Sequence, residues 1–501
     1  MKGYSIAIDF GNSNIKVATI DNGKIRMFPF SGHGSNEGYI SNVVYYDKNE
    51  FLLGNTAEQK AIYANKESEL VHSIKQKLEE KEWKQFFSNI NKEKNCIEIV
   101  EDILKELVKK IKSKNGNREI ENCVITVPVN FSELQKEKIR KACKKINLPL
   151  LALVSEPIAG GLKSIDEDII DLEDDEEKNI IVFDCGGGTL DIALINIYKI
   201  DEDIYFRVLG SVGMNFGGIL INNLILEKCI LPKLNNCNIF KEKEYRLKIL
   251  KEIEKIKRSC LGSEEEPSGE IWIQDSEYDF KIETTEIVLT KEEMEEVIKN
   301  YNLEESLQNM FDYLLENEGL EREDISKVIL LGGTSSIICI QNMIKNYFED
   351  DDVLDIDEQE EEKIYNSVAE GAATYLLTLL EKNSKLFIEN KNPYQLVADS
   401  ESGREVIILT KDTNFETETP LKRFKTISKN GKEEEAILYQ KFETFGEDKK
   451  LKVAIGKVKC NKNKFDSYIY YSFYIDKYGE ITCKFFNESD YIEKSKIILE
   501  D

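Results

Sequence analysis

Two short stretches of this chain hold the residue types that phosphate chemistry needs, in the same order and spacing. Asp9-Phe-Gly-Asn-Ser-Asn-Ile-Lys-Val-Ala-Thr-Ile20 and Asp184-Cys-Gly-Gly-Gly-Thr-Leu-Asp-Ile-Ala-Leu-Ile195 align without a gap at an offset of 175 residues. Glycine lets backbone approach an anion closely, and successive N–H groups with neighbouring side-chain donors can grip phosphate oxygens. That reading assigns Gly11, Asn12, Ser13 and Asn14 in the first copy and Gly186, Gly187, Gly188 and Thr189 in the second. The leading carboxylates, Asp9 and Asp184, repel bare phosphate; they become useful when Mg²⁺ lies between, held through water. Either copy alone reads equally well as an ordinary glycine-rich hairpin, but two aligned copies do not. A third element, Val328-Ile-Leu-Leu-Gly332-Gly333-Thr334-Ser335, is a buried strand ending in Gly-Gly, where backbone can pack flat against a nucleoside.

These residues need strands and helices to hold them. Strand-like runs cover Tyr4–Asp9, Ile15–Ile20 and Lys24–Phe30, each bounded by Gly, Asn or Asp. Apolar spacing predicts an amphipathic helix over Ile97–Ile111, then a strand at Cys123–Val127 ended by Pro128. Ser132 caps a predicted helix to about Ile146, and a strand over Pro149–Val154 follows. A second strand cluster begins at Ile180. Helices are expected within 218–261 and 290–317, a buried strand at Lys327–Leu331, and a small-residue helix around Ser367–Leu380. Asp166–Glu177 and Glu349–Glu362 are acidic stretches, the first read as a solvated loop. Beyond Asn392 the texture becomes all-β, with turns such as Asn430-Gly431 and Tyr478-Gly479.

Composition narrows the partners. With 68 Lys+Arg against 94 Asp+Glu, the net charge of −26 argues against general binding to nucleic acid or anionic membrane. The deficit falls on residues 1–391 (49 basic, 74 acidic), while 392–501 carry 19 and 20, which places a domain boundary near Asn392-Pro393. Ten cysteines without a Cys-x-x-Cys pair argue against disulfide frameworks and metal clusters, and two histidines leave little for a triad. There is no signal peptide and no run of 18 apolar residues, so a cytoplasmic location is expected.

The motifs together resemble the nucleotide-binding domain of the seventy-kilodalton heat-shock (DnaK-type) chaperones, within the actin and sugar-kinase superfamily. Asp184–Asp191 is similar to that family's second phosphate motif. Val124-Ile-Thr-Val-Pro128, Ser155-Glu-Pro-Ile-Ala-Gly-Gly-Leu162 and Val368-Ala-Glu-Gly-Ala-Ala373 are similar to its strand–Pro, Glu-Pro and connecting-helix segments, and 392–501 resembles its substrate domain. The resemblance implies an α/β fold: a duplicated actin-like (ribonuclease-H-like) ATPase domain over 1–383, a linker at 384–391 and an all-β sandwich over 392–501. It also implies roles, residue by residue. Lys75 orients the attacking water, Glu156 helps hold the Mg²⁺ water shell, and Thr189 lies near the γ-phosphate, with Asp184 completing the catalytic set. Gly217, Gly218, Gly332, Gly333, Thr334 and Ser336 line the nucleotide, and Glu254, Lys257 and Arg258 clamp the adenine. Pro128 and Lys136 relay nucleotide state to the β-domain.

The chain departs from the family pattern in several places. Asn12-Ser13 stand where the family has two threonines, which predicts slow hydrolysis. Ile219-Leu220 replace an acidic pair, and Ser336 stands where an arginine stacks on adenine, which predicts weaker nucleotide binding. Lys385-Leu-Phe-Ile-Glu389 is the counterpart of the interdomain linker, and Glu401 falls at an apolar peptide-arch position. The sequence ends at Asp501 without the family's helical lid, which predicts fast peptide exchange. The expectation is a chaperone that binds ATP or ADP with Mg²⁺ and hydrolyses slowly. Its partners would be unfolded or extended polypeptide, or a dedicated client, together with co-chaperones. The alternative is a nucleotide-gated scaffold or regulator of one partner, with little hydrolysis. The β-module and the Glu-Pro segment argue against a filament-forming actin homologue and a small-molecule kinase.

Overall fold

The computed structural model describes residues 4–496 apart from 31–37, 49, 65, 81, 167–171, 235–242, 263–266, 278–280, 349–360, 382–383, 393, 400–403, 412, 421, 426–432, 443–448, 460–467 and 487–490. Residues 167–171 and 349–360 of the two acidic stretches, the Asn430-Gly431 turn and Glu401 lie outside the described residues.

The first lobe runs β1 (Tyr4–Phe10), β2 (Asn14–Asp21), β3 (Lys24–Met27), β4 (Tyr39–Ser41), β5 (Val43–Asp47), β6 (Glu50–Leu53), α1 (Asn55–Tyr63), β7 (Val71–His72), α2 (Ile74–Lys77), β8 (Lys84–Phe87), β9 (Lys92–Asn95), α3 (Cys96–Lys114), β10 (Ile120–Val127), α4 (Glu133–Lys145), β11 (Leu150–Ser155) and α5 (Glu156–Asp166). Its main sheet has the order β11-β10-β1-β2-β3, with β4 beside β2. Helix α3 buries Ile99, Val100, Ile103, Leu104, Leu107 and Ile111, and Asn95 and Glu98 form a reciprocal capping box at its start. Ser132 and Gln135 cap α4 in the same way.

The second lobe runs β12 (Glu177–Cys185), β13 (Leu190–Ile200), β14 (Asp203–Met214), α6 (Gly218–Ile225), α7 (Lys243–Leu261), β15 (Ser268–Glu277), β16 (Lys281–Thr290), α8 (Lys291–Lys299), α9 (Leu303–Glu318), β17 (Ile325–Leu331), α10 (Ile338–Phe348), α11 (Glu361–Leu380) and β18 (Leu386–Glu389). Its sheet has the order β17-β12-β13-β14-β18. The duplication read in the sequence reappears as register. Asp9 faces Lys16 and Phe10 faces Ile15 across β1–β2, while Asp184 faces Asp191 and Cys185 faces Leu190 across β12–β13. Each hairpin also carries one parallel neighbour, β10 on β1 and β17 on β12.

Between the lobes, α5 and α11 cross at backbone contact. A Cβ on Gly371 would stand 1.7 Å from the Ala159 carbonyl oxygen, so only glycine fits there. Ala159, Leu162, Ala369, Ala372, Ala373 and Leu376 share one core with inward residues of both sheets.

Two features differ from the sequence expectation. Ser268–Thr290 forms a two-stranded hairpin, β15–β16, where the sequence reading placed no strand. The linker counterpart is itself a strand: β18 pairs in parallel with β14, Leu386 to Ile204 through Glu389 to Arg207. Its outer face carries an aromatic stack, with Phe387 5.0 Å from Tyr205 and Tyr205 4.6 Å from Tyr198 between ring centroids.

The C-terminal part has β19 (Gln395–Asp399), β20 (Glu405–Leu409), β21 (Lys422–Lys425), β22 (Glu433–Phe442), β23 (Lys449–Lys459), β24 (Tyr468–Ile475), β25 (Ile481–Phe486) and β26 (Tyr491–Lys496). They form two four-stranded sheets, β20-β19-β22-β23 and β21-β24-β25-β26, antiparallel throughout. The seven cysteines with described side chains are free and buried. No helix among the described residues is long and apolar enough to cross a membrane.

Candidate functional site

Three turns meet between the lobes. The β1–β2 tip touches the β12–β13 tip: a Cβ on Gly187 would stand 2.3 Å from Ser13 Oγ, and one on Gly188 2.3 Å from Asn12 Nδ2. The turn after β17 is tied to the second hairpin. Thr334 N–H donates to the Cys185 carbonyl at 3.0 Å, and its Oγ1 donates to the Gly186 carbonyl at 2.8 Å. Gly332 has φ +78°, and a Cβ on it would meet the Cys185 carbonyl oxygen at 2.4 Å. Gly217 and Gly218 close the far side, where Gly218 N–H donates to the Gly186 carbonyl at 3.1 Å. Asn42 fixes the first tip by donating from Nδ2 to the Gly11 carbonyl at 2.8 Å. The resulting cavity, about 100 Å³, is lined by Asp9, Gly11–Asn14, Lys16, Glu156, Asp184, Gly186–Thr189, Gly332 and Gly333.

Three buried carboxylates line this cavity, Asp9, Glu156 and Asp184, and a fourth, Asp191, stands opposite Asp184 across the β12–β13 hairpin. Burial, followed by the Glu156, Asp191 and Asp9 charges, raises Asp184 well above the usual carboxylate range. Burial then the Glu156 charge pushes Asp191 up to about 7, against hydrogen bonds from Thr189 and the Val129 N–H. Glu156 is raised by burial and by Asp9, and drawn down by Lys75. Among the described residues two lysines answer these charges, Lys16 at 3.5 Å from Asp9 and Lys75 in an ion pair with Glu156. Lys75 is 1% exposed and lies 5.5 Å from the centre of the Phe131 ring. It is aimed by α2, a single turn started by Ser73 at φ 50°.

The donor chemistry fits the groups read from the sequence. The raised proton affinity of Glu156, Asp184 and Asp191 marks a site short of positive charge, which a divalent cation supplies. Asp9 and Asp184 stand at the ends of equivalent strands where such an ion, through its water shell, could reach phosphate. Gly186 and Gly333 present open backbone there, since an added Cβ would meet nothing closer than 4.0 Å at the first and nothing within 4 Å at the second.

The residues assigned to adenine form a second, connected group. Glu254 on α7 binds Lys257 Nζ at 2.6 Å, Arg258 Nε at 2.7 Å and Asn222 Nδ2 at 2.7 Å. Lys257 also donates to the Gly218 carbonyl at 3.2 Å, and burial lowers its proton affinity. Ser336 lies apart, bonded at 2.8 Å to the Gly333 carbonyl and exposed. Across the mouth of the cleft, Lys251 of α7 reaches Glu58 of α1 at 2.8 Å.

The sequence reading passed over Asp191, although the duplication held the signal: its equivalent in the first copy is Lys16. Asp191 Oδ1 accepts the Val129 N–H at 2.8 Å, tying the second hairpin to the segment that enters α4. It also passed over Glu133. That buried carboxylate receives Lys136 at 3.1 Å, Arg140 at 3.3 Å and the Tyr394 hydroxyl at 2.7 Å, while its backbone N–H donates to Gln440 Oε1 at 2.8 Å. The β-domain thus sits against the first lobe through α4, and against the second where Lys411 meets Tyr313 of α9.

Comparison with known proteins agrees with this architecture. The Hsp70 protein family matches residues 5–494. The chaperone protein dnaK of Cyanidium caldarium is 26% identical over 439 residues, covering 82% of this chain and 66% of that protein. The chaperone protein DnaK of Carsonella ruddii (strain PV) is 26% identical over 440 residues, covering 82% and 69%. The chain therefore spans about two thirds of the length of these relatives.

Proposed function

The chain belongs to the Hsp70 family, with its actin-like ATPase domain and β-sandwich, and from that premise we propose that it is an ATP-driven chaperone whose nucleotide site governs how the β-domain docks. The observation that carries this reading is the ring of buried carboxylates enclosed by three glycine turns between two duplicated lobes. Asp9 and Asp184 would hold Mg²⁺ through water, and Gly11–Asn14 and Gly186–Thr189 would take the phosphates on backbone N–H groups. When bound there, the ion would neutralise phosphate charge and make the terminal phosphoryl a better electrophile. Lys75 and Glu156 hold each other rigid beside it. Lys257 and Glu254 cross-link α7 to Gly218, so the adenine end is pre-formed.

Coupling to the β-domain runs through bonds already named. Asp191 grips Val129, Val129 leads into α4, and α4 carries the Glu133 anchor for Tyr394 and Gln440. A change at the second hairpin is therefore felt at the dock, as a hinge-type switch requires. The client class that suits a β-domain of this family is extended polypeptide.

Calorimetry with magnesium tests the core of the reading: Mg-ATP should bind, and chelation should weaken binding. Lys75→Ala should cut single-turnover hydrolysis by about 10²-fold or more while ATP still binds. Absence of ATP binding with magnesium present would overturn the assignment.

A further inference from the structure

Asn12, Gly188 and Thr189 form a partition. On one side they line the phosphate cavity; on the other they line a second cavity of about 370 Å³ that the nucleotide assignment does not use. Gly332 and Gly333 face only the first cavity. The second is bounded by Lys75, Gln76, Glu79, Asn130, Phe131 and Gln135 from the first lobe and by Asn215, Ile219, Leu220 and Asn223 from the second.

In-line displacement needs the nucleophile opposite the leaving group. A triphosphate entering past Gly332 and Gly333 points its terminal phosphorus at the partition, so attacking water must come from the second cavity. That cavity is large enough for water to enter and turn freely, so some group at the partition has to hold it in line.

Two carboxamides converge there. A Cβ on Gly188 would stand 2.3 Å from Asn12 Nδ2 and 3.0 Å from Gln76 Nε2. Asn12 is 7% exposed, and its Oδ1 is a buried acceptor without a hydrogen-bond partner. A buried polar atom left in that state costs free energy unless water or ligand meets it. Gln76 is exposed and lines the second cavity. Lys75, by contrast, is held against Glu156.

We propose that Asn12 and Gln76 are the positioning residues for the hydrolytic water, Asn12 Oδ1 accepting a hydrogen bond from it and the Gln76 carboxamide fixing its second direction. The inference rests on the ATPase reading above. The water oxygen forms a bond to the terminal phosphorus, the bond to the ADP oxygen breaks with its electron pair left on ADP, and both water protons leave on the phosphate product as dihydrogen phosphate. Neither carboxamide gains or loses a proton.

The test uses the full chain with magnesium and two readouts: single-turnover hydrolysis, and binding of ADP with and without aluminium fluoride, which mimics the phosphoryl group with its in-line water. Gln76→Ala should slow hydrolysis by about 10- to 100-fold and lose most of the tightening that aluminium fluoride gives, with ADP affinity changed by less than about twofold. Gln76→Glu, which keeps the size but titrates, should change the pH profile of the rate from that of the wild type. Unchanged hydrolysis in Gln76→Ala, or a parallel loss of ADP affinity, overturns the inference alone. A wild-type chain that binds no ATP overturns the reading beneath it as well.

Discussion

Tyr394→Phe removes one oxygen and isolates the joint between the ATPase domain and the β-domain. Tyr394 is 1% exposed, and its hydroxyl donates to Glu133 Oε1 at 2.7 Å. Hydrogen bonds to charged groups contribute about 1.5–3 kcal/mol. Glu133 keeps Lys136 and Arg140 after the change, so its charge is not orphaned and the lower part of that range applies. A loss of about 1.5–2 kcal/mol shifts the docking equilibrium roughly tenfold to thirtyfold. The strand β18 reports docking, because Lys385 and Lys391 flank it and both are engaged when it is paired: Lys385 with Glu202, Lys391 with the Leu209 carbonyl at 2.9 Å and Glu318 at 3.1 Å. When opening and closing outpace cleavage, proteolysis tracks the open population. Tryptic cleavage at 385 and 391 in Mg-ATP should therefore rise about tenfold to thirtyfold. In a double-mutant cycle with Glu133→Gln the two changes should be strongly non-additive. Cleavage within twofold of wild type, or simple additivity, would refute the claim that this bond holds the domains together.

Three other outcomes follow from the geometry. Gly371→Ala places a methyl 1.7 Å from the Ala159 carbonyl oxygen and should destabilise the ATPase domain by about 1–3 kcal/mol in calorimetric melting. Lys251→Ala opens the exposed Lys251–Glu58 bridge over the cleft mouth, worth at most about 1 kcal/mol, so ADP release in stopped flow should quicken up to about fivefold, with the difference fading at high salt. Glu133 is raised by burial but more than offset by Lys136, Arg140 and the Tyr394 hydroxyl, which bring it from 4.5 down to about 2. A depressed carboxylate stabilises the fold above its unfolded value and loses that contribution as the pH falls. The gap in melting temperature between wild type and Glu133→Gln should be widest above about pH 5 and close toward pH 2.

What the sequence disclosed was local or repeated. The Asp9 and Asp184 hairpins were legible because glycine, carboxylate and hydroxyl must fall within six residues of one another to make such a turn. Helix α3 was legible because its buried positions recur every three or four residues. Asp191 was marked only by its alignment with Lys16 in the first copy, since one acid inside an apolar strand does not by itself show its partner across the hairpin. Strand β18 was hidden more deeply: it pairs with residues about 180 positions earlier, and parallel pairing leaves no turn signal. The β15–β16 hairpin did leave a trace, in the short apolar runs Ile271-Trp272-Ile273 and Ile287-Val288-Leu289, whose outer residues are buried and central residues exposed. Glu133 looked like an ordinary acid in a first helical turn; only the approach of Tyr394, 261 residues away, gives it a different role.

The pairing of β18 with β14 sets how the connection between domains can move. Leu386 and Ile388 turn toward the core between the lobes, while Phe387 turns outward onto Tyr205. A strand's side chains alternate, so sliding by one residue would put Phe387 inside and both aliphatic residues outside. No intermediate position keeps both faces satisfied. The strand therefore has click-stops rather than a sliding scale: it is seated in register on β14 or it is not.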